Sequence, residues 1–257
     1  MLGVLMKSKI KFIPLIGLLC CNAHAASTVL VNGNFDAFVL NTGIYAGAYN
    51  ASSNPNGYAN DFGNVYTYRE SASGIGWLTQ PINPAEDSVV NNVIELWTDG
   101  AYGKNALPGS NQFAELNAFV AGALYQDITI TLTGAVDYGF AHAARNVGTD
   151  VMKVLITNLG TDNTFGTADD SVEVNQNFSN TNTTGSLVWS QNSVDNAFSS
   201  IGGRTYRFSF GAVSSNPNNT EGNFIDNIVF GINAVPEPSS ALLGTFGALA
   251  LLRRRRH

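Results

Sequence analysis

From Val89 to Ile232 the chain is a succession of short apolar runs, each about a strand long and each stopped by Gly, Asn, Asp, Ser or Pro. Together with Ser27 to Asn32 near the start, the runs are Val89 to Trp97, Gln112 to Leu116, Leu124 to Leu132, Val136 to His142, Val151 to Asn158, Ser171 to Asn175, Leu187 to Ser190, Thr205 to Ala212 and Phe224 to Ile232. In Thr205 to Ala212, Tyr206, Phe208 and Phe210 alternate with Thr205, Arg207 and Ser209, the period of a strand with one buried face. Tyr138 and Phe140 alternate with Asp137 and Gly139 in the same way, and His142 falls in phase with them. No helical periodicity longer than a turn or two interrupts the series. Strands without helices bury their apolar faces only against another sheet, so the pattern predicts an all-β fold, a single two-sheet β-sandwich.

Both ends break the pattern. Lys7, Lys9 and Lys11 precede the apolar stretch Phe12 to Cys21, and Ala23-His24-Ala25 offers small residues for cleavage before Ala26, so residues 1–25 read as a signal peptide. At the other end Pro236, Glu237 and Pro238 interrupt the chain, an apolar run follows from Ser239 to Leu252, and Arg253, Arg254, Arg255 and Arg256 close it. Leu242, Leu243, Leu249, Leu251 and Leu252 surround a helix instead of forming one stripe, which suits lipid better than packing on a domain. The run has 14 residues, short of the roughly 20 that span a bilayer core unaided. Arginines reaching the cytoplasmic headgroups would extend it and hold the C-terminus inside. This order of turn, short helix and arginine cluster resembles the PEP-CTERM sorting signal of Gram-negative bacteria. The resemblance implies processing by an exosortase, transient anchoring in the inner membrane through a C-terminal transmembrane helix, and delivery to the outer surface or the extracellular, biofilm-type matrix. The chain then divides into a signal peptide (1–25), a β-sandwich domain (26–234) and a sorting signal (235–257).

Without its ends the chain is strongly acidic. Residues 26–234 carry 18 acidic side chains against six basic ones, a poor balance for nucleic acid and a good one for divalent cations or for solubility outside the cell. Cys20 and Cys21 both fall in the signal peptide, so the mature chain has no disulfide, cysteine nucleophile or thiolate metal site. His142 is the one histidine left between the two ends, which leaves a histidine triad or a His-based zinc site without supporting residues. Glu95 and Glu115 are the carboxylates that glycoside hydrolysis would require, yet nothing in the sequence fixes their separation at the roughly 5–9.5 Å of that chemistry. The expectation is a protein without catalysis.

Three motifs carry further chemistry. Asn32-Gly33-Asn34-Phe35-Asp36 opens the domain, Gly76-Trp77 follows, and Asn223-Phe224-Ile225-Asp226-Asn227-Ile228-Val229-Phe230 closes it. Counting by twos puts Asp226 in phase with Phe224, Ile228 and Phe230, a carboxylate on an apolar face that needs a partner. These motifs together resemble galactose-binding-like jelly rolls, including carbohydrate-binding modules. That resemblance implies a structural Ca²⁺ joining the first and last strands, with Asp36 and Asp226 as side-chain ligands and carbonyls near Asn34 completing the shell. A second acidic stretch, Asn158 to Asp170 with Asp162, Asp169 and Asp170, is similar to loops of calcium-dependent surface proteins, although it lacks the EF-hand spacing; a solvated hairpin loop is the plainer reading.

Sugar recognition needs aromatic faces beside hydrogen-bonding groups. The candidates are Trp97, Asp99 and Tyr102 in one loop, Glu115 with Asn117, and Tyr125 beside Gln126; Trp77 reads as core. The Asn- and Gly-rich stretch Asn41 to Gly76 reads as a long loop, either a ligand-binding insertion or an ordered flap packed on the sandwich edge. The resemblance implies association with extracellular polysaccharide. The alternatives are a structural or adhesive surface protein that binds another protein and, more remotely, a glycosidase using Glu95 and Glu115.

Overall fold

The computed structural model describes residues 30–36, 57–60, 65–69, 76–81, 93–117, 121–215 and 221–234. The signal peptide, the sorting signal and much of Asn41 to Gly76 lie outside the described residues. The described strands are β1 (Gly57–Asn60), β2 (Val65–Arg69), β3 (Leu78–Pro81), β4 (Val93–Thr98), β5 (Gln112–Glu115), β6 (Gly122–Ile130), β7 (Gly134–Ala143), β8 (Gly148–Asn158), β9 (Ser171–Asn182), β10 (Ser190–Ser200), β11 (Arg204–Ser214) and β12 (Phe224–Ala234). They form a seven-stranded sheet in the order β1-β2-β4-β5-β12-β7-β10 and a five-stranded sheet in the order β3-β6-β11-β8-β9. Pairing is antiparallel throughout. Among the described residues the helical element is a single 3₁₀ turn, Ala101–Gly103. The all-β sandwich expected from the alternating pattern is the fold observed.

The core between the sheets is supplied by the alternation itself. Ile94 and Leu96 of β4, Tyr138 and Phe140 of β7, Phe208 and Phe210 of β11, and Ile228, Phe230 and Ile232 of β12 meet there. Phe208 stacks on Phe230 at 4.6 Å between ring centroids. Trp77, core as expected, lies against Phe35 and the edge of Phe210 and donates its indole N–H to the Asn32 carbonyl at 3.0 Å.

Three differences from the sequence reading have physical causes. Leu30 to Asp36 is a turn and not the end of a strand, with Asn32 and Phe35 at positive φ. Its Gly33 carbonyl accepts the Ile228 amide at 2.8 Å, and a Cβ at Gly33 would run into the Ile228 carbonyl oxygen, which is why glycine stands there. The stretch read as one long loop contains β1 and β2, with Val65 to Arg69 pairing along β4. Finally, the register of β12 against β7 shifts between Asp226 and Val229, so Asn227 and Ile228 together face Phe140. Asn227 takes a positive φ in this bulge. The extra residue resets the phase: Asp226 lies on the face of Phe224, while Ile225, Ile228 and Phe230 point into the core. Counting straight through by twos had placed Asp226 with Ile228 and Phe230.

A candidate binding face on the seven-stranded sheet

The face of the seven-stranded sheet turned away from the main core carries most of the chemistry. Residues of β2, β4, β5, β7 and β12 that turn away from the core build a second apolar cluster of Val65, Trp97, Phe113, Ala143 and Phe224, joined by Ala101 and Ala106 from the β4–β5 loop and packed by Leu187 and Trp189. Trp97 sits at its centre, 4.9 Å from Phe224 and 6.2 Å from Phe113 between centroids, and only 2% of it is exposed. It is therefore a packing residue, and the ring face that sugar stacking requires is covered. Tyr102, next to it at 5.8 Å, is 59% exposed and holds a positive φ. Asp99 accepts the Ala106 amide at 2.8 Å and so closes its own loop.

Glu95 and Glu115 stand directly opposite each other on β4 and β5, buried beside this cluster. Their carboxyl groups hydrogen-bond to one another. Glu95 accepts the Trp97 indole N–H at 2.6 Å. Glu115 accepts both the Gly222 amide at 2.7 Å and the Arg145 Nη1 at 2.9 Å and 3.2 Å. The Arg145 guanidinium also lies 4.7 Å from the Trp97 ring centroid. Burial, then the charge of Glu115, push the Glu95 carboxyl well above its ordinary range; burial raises Glu115 too, with Arg145 opposing it. One guanidinium beside two buried carboxyls favours a single shared proton. Two carboxyls in hydrogen-bond contact are nearer than the roughly 5 Å minimum of a glycosidase pair and leave no room for a sugar between them.

Asn117 is buried beyond this pair in a polar layer, where its Oδ1 accepts from Asn223 at 3.3 Å and its Nδ2 donates to Ser215 at 3.4 Å. His142 meets Asn223 Oδ1 through Nε2 at 3.0 Å, and burial lowers it to about 4, so it is neutral at physiological pH. Tyr125 lies on the other sheet altogether, beneath the Arg207 guanidinium at 3.8 Å; Phe165 contacts the same guanidinium at 4.2 Å, and Asp127 pairs with it through two bonds of 2.7 Å. The six sugar-binding candidates thus fall in three places. Trp97, Asp99, Tyr102 and Glu115 are together, Asn117 lies below them, and Tyr125 is separate.

Further along the same face Asp226, the last residue of β12 before the bulge, lies near Asp36. Asp36 Oδ1 accepts the amides of Asn111 at 2.9 Å and Gln112 at 3.0 Å, and its Oδ2 meets Asn34 Nδ2 at 3.3 Å and Ser110 Oγ at 3.4 Å. Asp226 is fully buried; its Oδ1 accepts the Asn227 amide at 2.6 Å, and its Oδ2 has no hydrogen-bond partner. Burial first, and the Asp36 charge in addition, push Asp226 up to about 7 against the hydrogen bond from the Asn227 amide. An orphaned, buried carboxylate oxygen facing a second carboxylate fits a hard cation. Among the described residues no three His, Cys, Asp or Glu side chains converge, so an ion here would take two carboxylates and further oxygens.

The acidic loop behaves differently. Asp169 accepts from the Thr161 amide and hydroxyl at 2.6 Å and 2.9 Å and from Thr167 at 2.9 Å, which lowers its pKa to about 2. Asp162 accepts the Thr164 amide at 2.9 Å, and Asp170 the Gly166 amide at 2.7 Å. Asp162 and Asp169 share the Thr167 hydroxyl, at 3.4 Å and 2.9 Å, while Asp170 is held by the Gly166 amide, and the three carboxylates do not converge on one point.

Beyond Asp226 the face opens into a groove of about 440 Å³ across β12, β7 and β10. Its floor is Gly139 and Gly231, which alternate outward where any side chain would fill the space, with Val229 45% exposed beside them. Asp137, Gln191, Ser193 and Asn227 line it. Asp137 is fixed by the Asn196 amide at 2.6 Å and Asn233 Nδ2 at 2.7 Å. None of these residues was a site candidate in the sequence, although Asp137, Gly139, Asn227 and Val229 lie in stretches named there as strand or motif. The readable signal was a pair of glycines, Gly139 and Gly231, at outward positions of strands otherwise rich in side chains.

No family model and no curated protein matches this chain. Among solved structures it is similar to a family 35 carbohydrate-binding module from Clostridium thermocellum, at 10% identity over 65% of this chain and 97% of the module, with a TM-score of 0.35. It is also similar to TmCBM61 in complex with β-1,4-galactotriose, at 14% identity over 72% of this chain and 99% of that one, with a TM-score of 0.30. A cyclase from Fischerella sp. in its apo form matches at 13% identity over 82% of this chain and 98% of the cyclase, with a TM-score of 0.42. Likenesses this remote concern the fold and say nothing of a ligand.

Proposed function

We propose that this chain is an exported, non-catalytic surface or matrix protein that holds a neutral polysaccharide in the groove over Gly139 and Gly231. The observation that supports the reading is the groove's make-up. Two bare glycines let a chain lie against the backbone, Val229 offers an apolar contact for the C–H face of a sugar ring, and Asp137, Gln191, Ser193 and Asn227 offer acceptors and donors for hydroxyls. Asp137 is the one acidic or basic side chain in that lining, and the domain around it is acidic, so uncharged glycans are favoured over polyanions.

In this reading Ca²⁺ is a structural ion held by the Asp36 and Asp226 carboxylates with oxygens near Asn34, supplying the positive charge that the buried Asp226 otherwise lacks. The tail of Pro236, Glu237, Pro238 and four arginines is the exosortase signal that brings the protein to the envelope. The hydrogen-bonded Glu95–Glu115 pair is structural, not catalytic.

The test is a glycan array with the purified protein, in calcium and in EDTA, repeated with Gly231→Phe. A Cβ at Gly231 meets nothing within 4 Å, so the ring has room to lie in the groove without disturbing the fold. Saturable binding to neutral glycans should fall by at least about tenfold in the variant at an unchanged melting temperature. Equal binding by wild type and variant would remove the groove from the argument.

A further inference from the structure

A sheet that does not close into a barrel has two edges, and proteins blunt such edges with short strands, prolines, bulges or charges. Three edges of this sandwich, as described, follow that rule. β1 has four residues and an irregular register; β3 also has four and ends in Pro81. β10 carries Asp195 within a register shift against β7, with Asn196 at positive φ. β9 is the exception. It is the longest strand, 12 residues, and among the described residues its one hydrogen-bonded neighbour is β8.

Its single bulge, where Thr157 pairs with Val172 and Ile156 with Val174, isolates Glu173 at one end. From Val174 to Asn182 the pairing with β8 is unbroken, and the sequence Val-Asn-Gln-Asn-Phe-Ser-Asn-Thr-Asn contains no charge, proline or glycine. Asn175, Gln176, Asn177, Ser179 and Thr181 are exposed. In an antiparallel ladder alternate residues turn their N–H and C=O groups away from the neighbour, so the free side of β9 offers a regular row of backbone donors and acceptors.

We infer that this edge is an interface that pairs with β9 of a second copy of the chain. The segment is its own complement. A two-fold axis normal to the sheet keeps core-facing residues on the core side only if even-numbered residues face even-numbered ones. Centred on Phe178, that register sets Phe178 against its own copy, Asn177 against Ser179 and Asn175 against Thr181. No like charges meet, and the exposed carboxamides face Ser and Thr hydroxyls, each group both donor and acceptor, so they satisfy one another across the axis. The two five-stranded sheets would continue into one sheet of ten strands. The pairing is independent of the glycan reading and uses the opposite sheet from the groove.

Sedimentation velocity on the purified chain across a concentration series, with hydrogen exchange of the β9 amides, tests it. The wild type should self-associate in the micromolar range, and protection of Val174 to Asn182 should rise with concentration. Asn177→Lys sets two ammonium groups diagonally across the axis and should weaken association by at least about tenfold at an unaltered melting temperature. Ser199→Lys, exposed on the β10 edge, should leave association intact. A monomer at all concentrations up to about 100 μM, association indifferent to Asn177→Lys, or equal loss in Ser199→Lys would each overturn the inference.

Discussion

Replacing Asp226 with asparagine separates the charge of this residue from its shape. In the folded protein Asp226 titrates at about 7 because it is buried and faces Asp36, whereas an unfolded aspartate titrates near 3.9. The folded state therefore holds the proton more tightly. Its stabilising contribution is complete below about pH 4 and is lost as pH rises through 7. Three pKa units at about 1.4 kcal/mol each put the swing at about 4 kcal/mol. Calcium would occupy the proton's place, and at a hundredfold excess over its dissociation constant it would return about 2.7 kcal/mol. In Asp226→Asn the side-chain oxygen can still accept the Asn227 amide, while an uncharged N–H₂ takes the position of the orphaned Oδ2. Urea denaturation at pH 5 and pH 8, in EDTA and in calcium, gives the necessary differences. The metal-free wild type should lose stability from pH 5 to pH 8 relative to the variant, by about 2–3 kcal/mol, and calcium at pH 8 should recover most of it in the wild type alone. Parallel pH profiles in EDTA would refute the buried-charge argument. A calcium response that survives in Asp226→Asn would place the ion elsewhere.

Three further substitutions test the second cluster. Trp97→Ala removes the centre of a buried aromatic group and should cost about 3–5 kcal/mol in chemical denaturation, with glycan binding per folded molecule unchanged; binding lost from an intact fold would return Trp97 to the ligand site. Glu115→Ala leaves the Arg145 guanidinium without its carboxylate and should cost about 3–5 kcal/mol. Glu95→Gln keeps a neutral hydrogen-bonding group and should change stability by about 1 kcal/mol or less at neutral pH. Because the pKa of Glu95 is raised, its contribution is lost as pH climbs through the folded value, so the glutamine variant should also resist alkaline unfolding better than the wild type. Equal losses in Glu115→Ala and Glu95→Gln, followed by urea titration, would contradict the assignment of the shared proton to Glu95.

What the sequence disclosed and what it withheld follow from one physical distinction. Strands buried on one face, such as β11 with Tyr206, Phe208 and Phe210, announce themselves because alternation is forced by a dry side and a wet side. β10 and the far half of β9 were not legible, since edge strands with polar side chains on both faces carry no such contrast. The irregular β1 and β2 were hidden among Asn and Gly for a related reason, because their order comes from pairing with β4 and not from their own propensities. Trp97 misled in the other direction. A tryptophan entering a Gly-rich loop looks like a platform, yet the loop folds back through Ala101 and Ala106 to cover it.

Asp226 shows the limit most sharply. Its type and its approximate partner, Asp36, could be proposed from motifs at opposite ends of the domain, but its face depended on one inserted residue at Asn227 that period-two counting cannot detect. The insertion comes directly after Asp226, where the apolar cluster ends and the groove begins. A bulge in the last strand thus separates a packed half of the sheet, built on Trp97 and Phe224, from an open half floored by Gly139 and Gly231. The two halves make opposite demands: large side chains exclude water from the first, and the absence of side chains admits a ligand to the second. Deleting Asn227 removes the extra residue yet keeps every neighbour on its face, because Ile228 alone then opposes Phe140 while Asp226 and Val229 still oppose Ala141 and Gly139. The packed half should keep its melting temperature, and the open half, losing the Asn227 side chain from its lining, should bind glycan less well. A deletion variant that unfolded at a clearly lower temperature, or that bound glycan as the wild type does, would refute this division of the sheet.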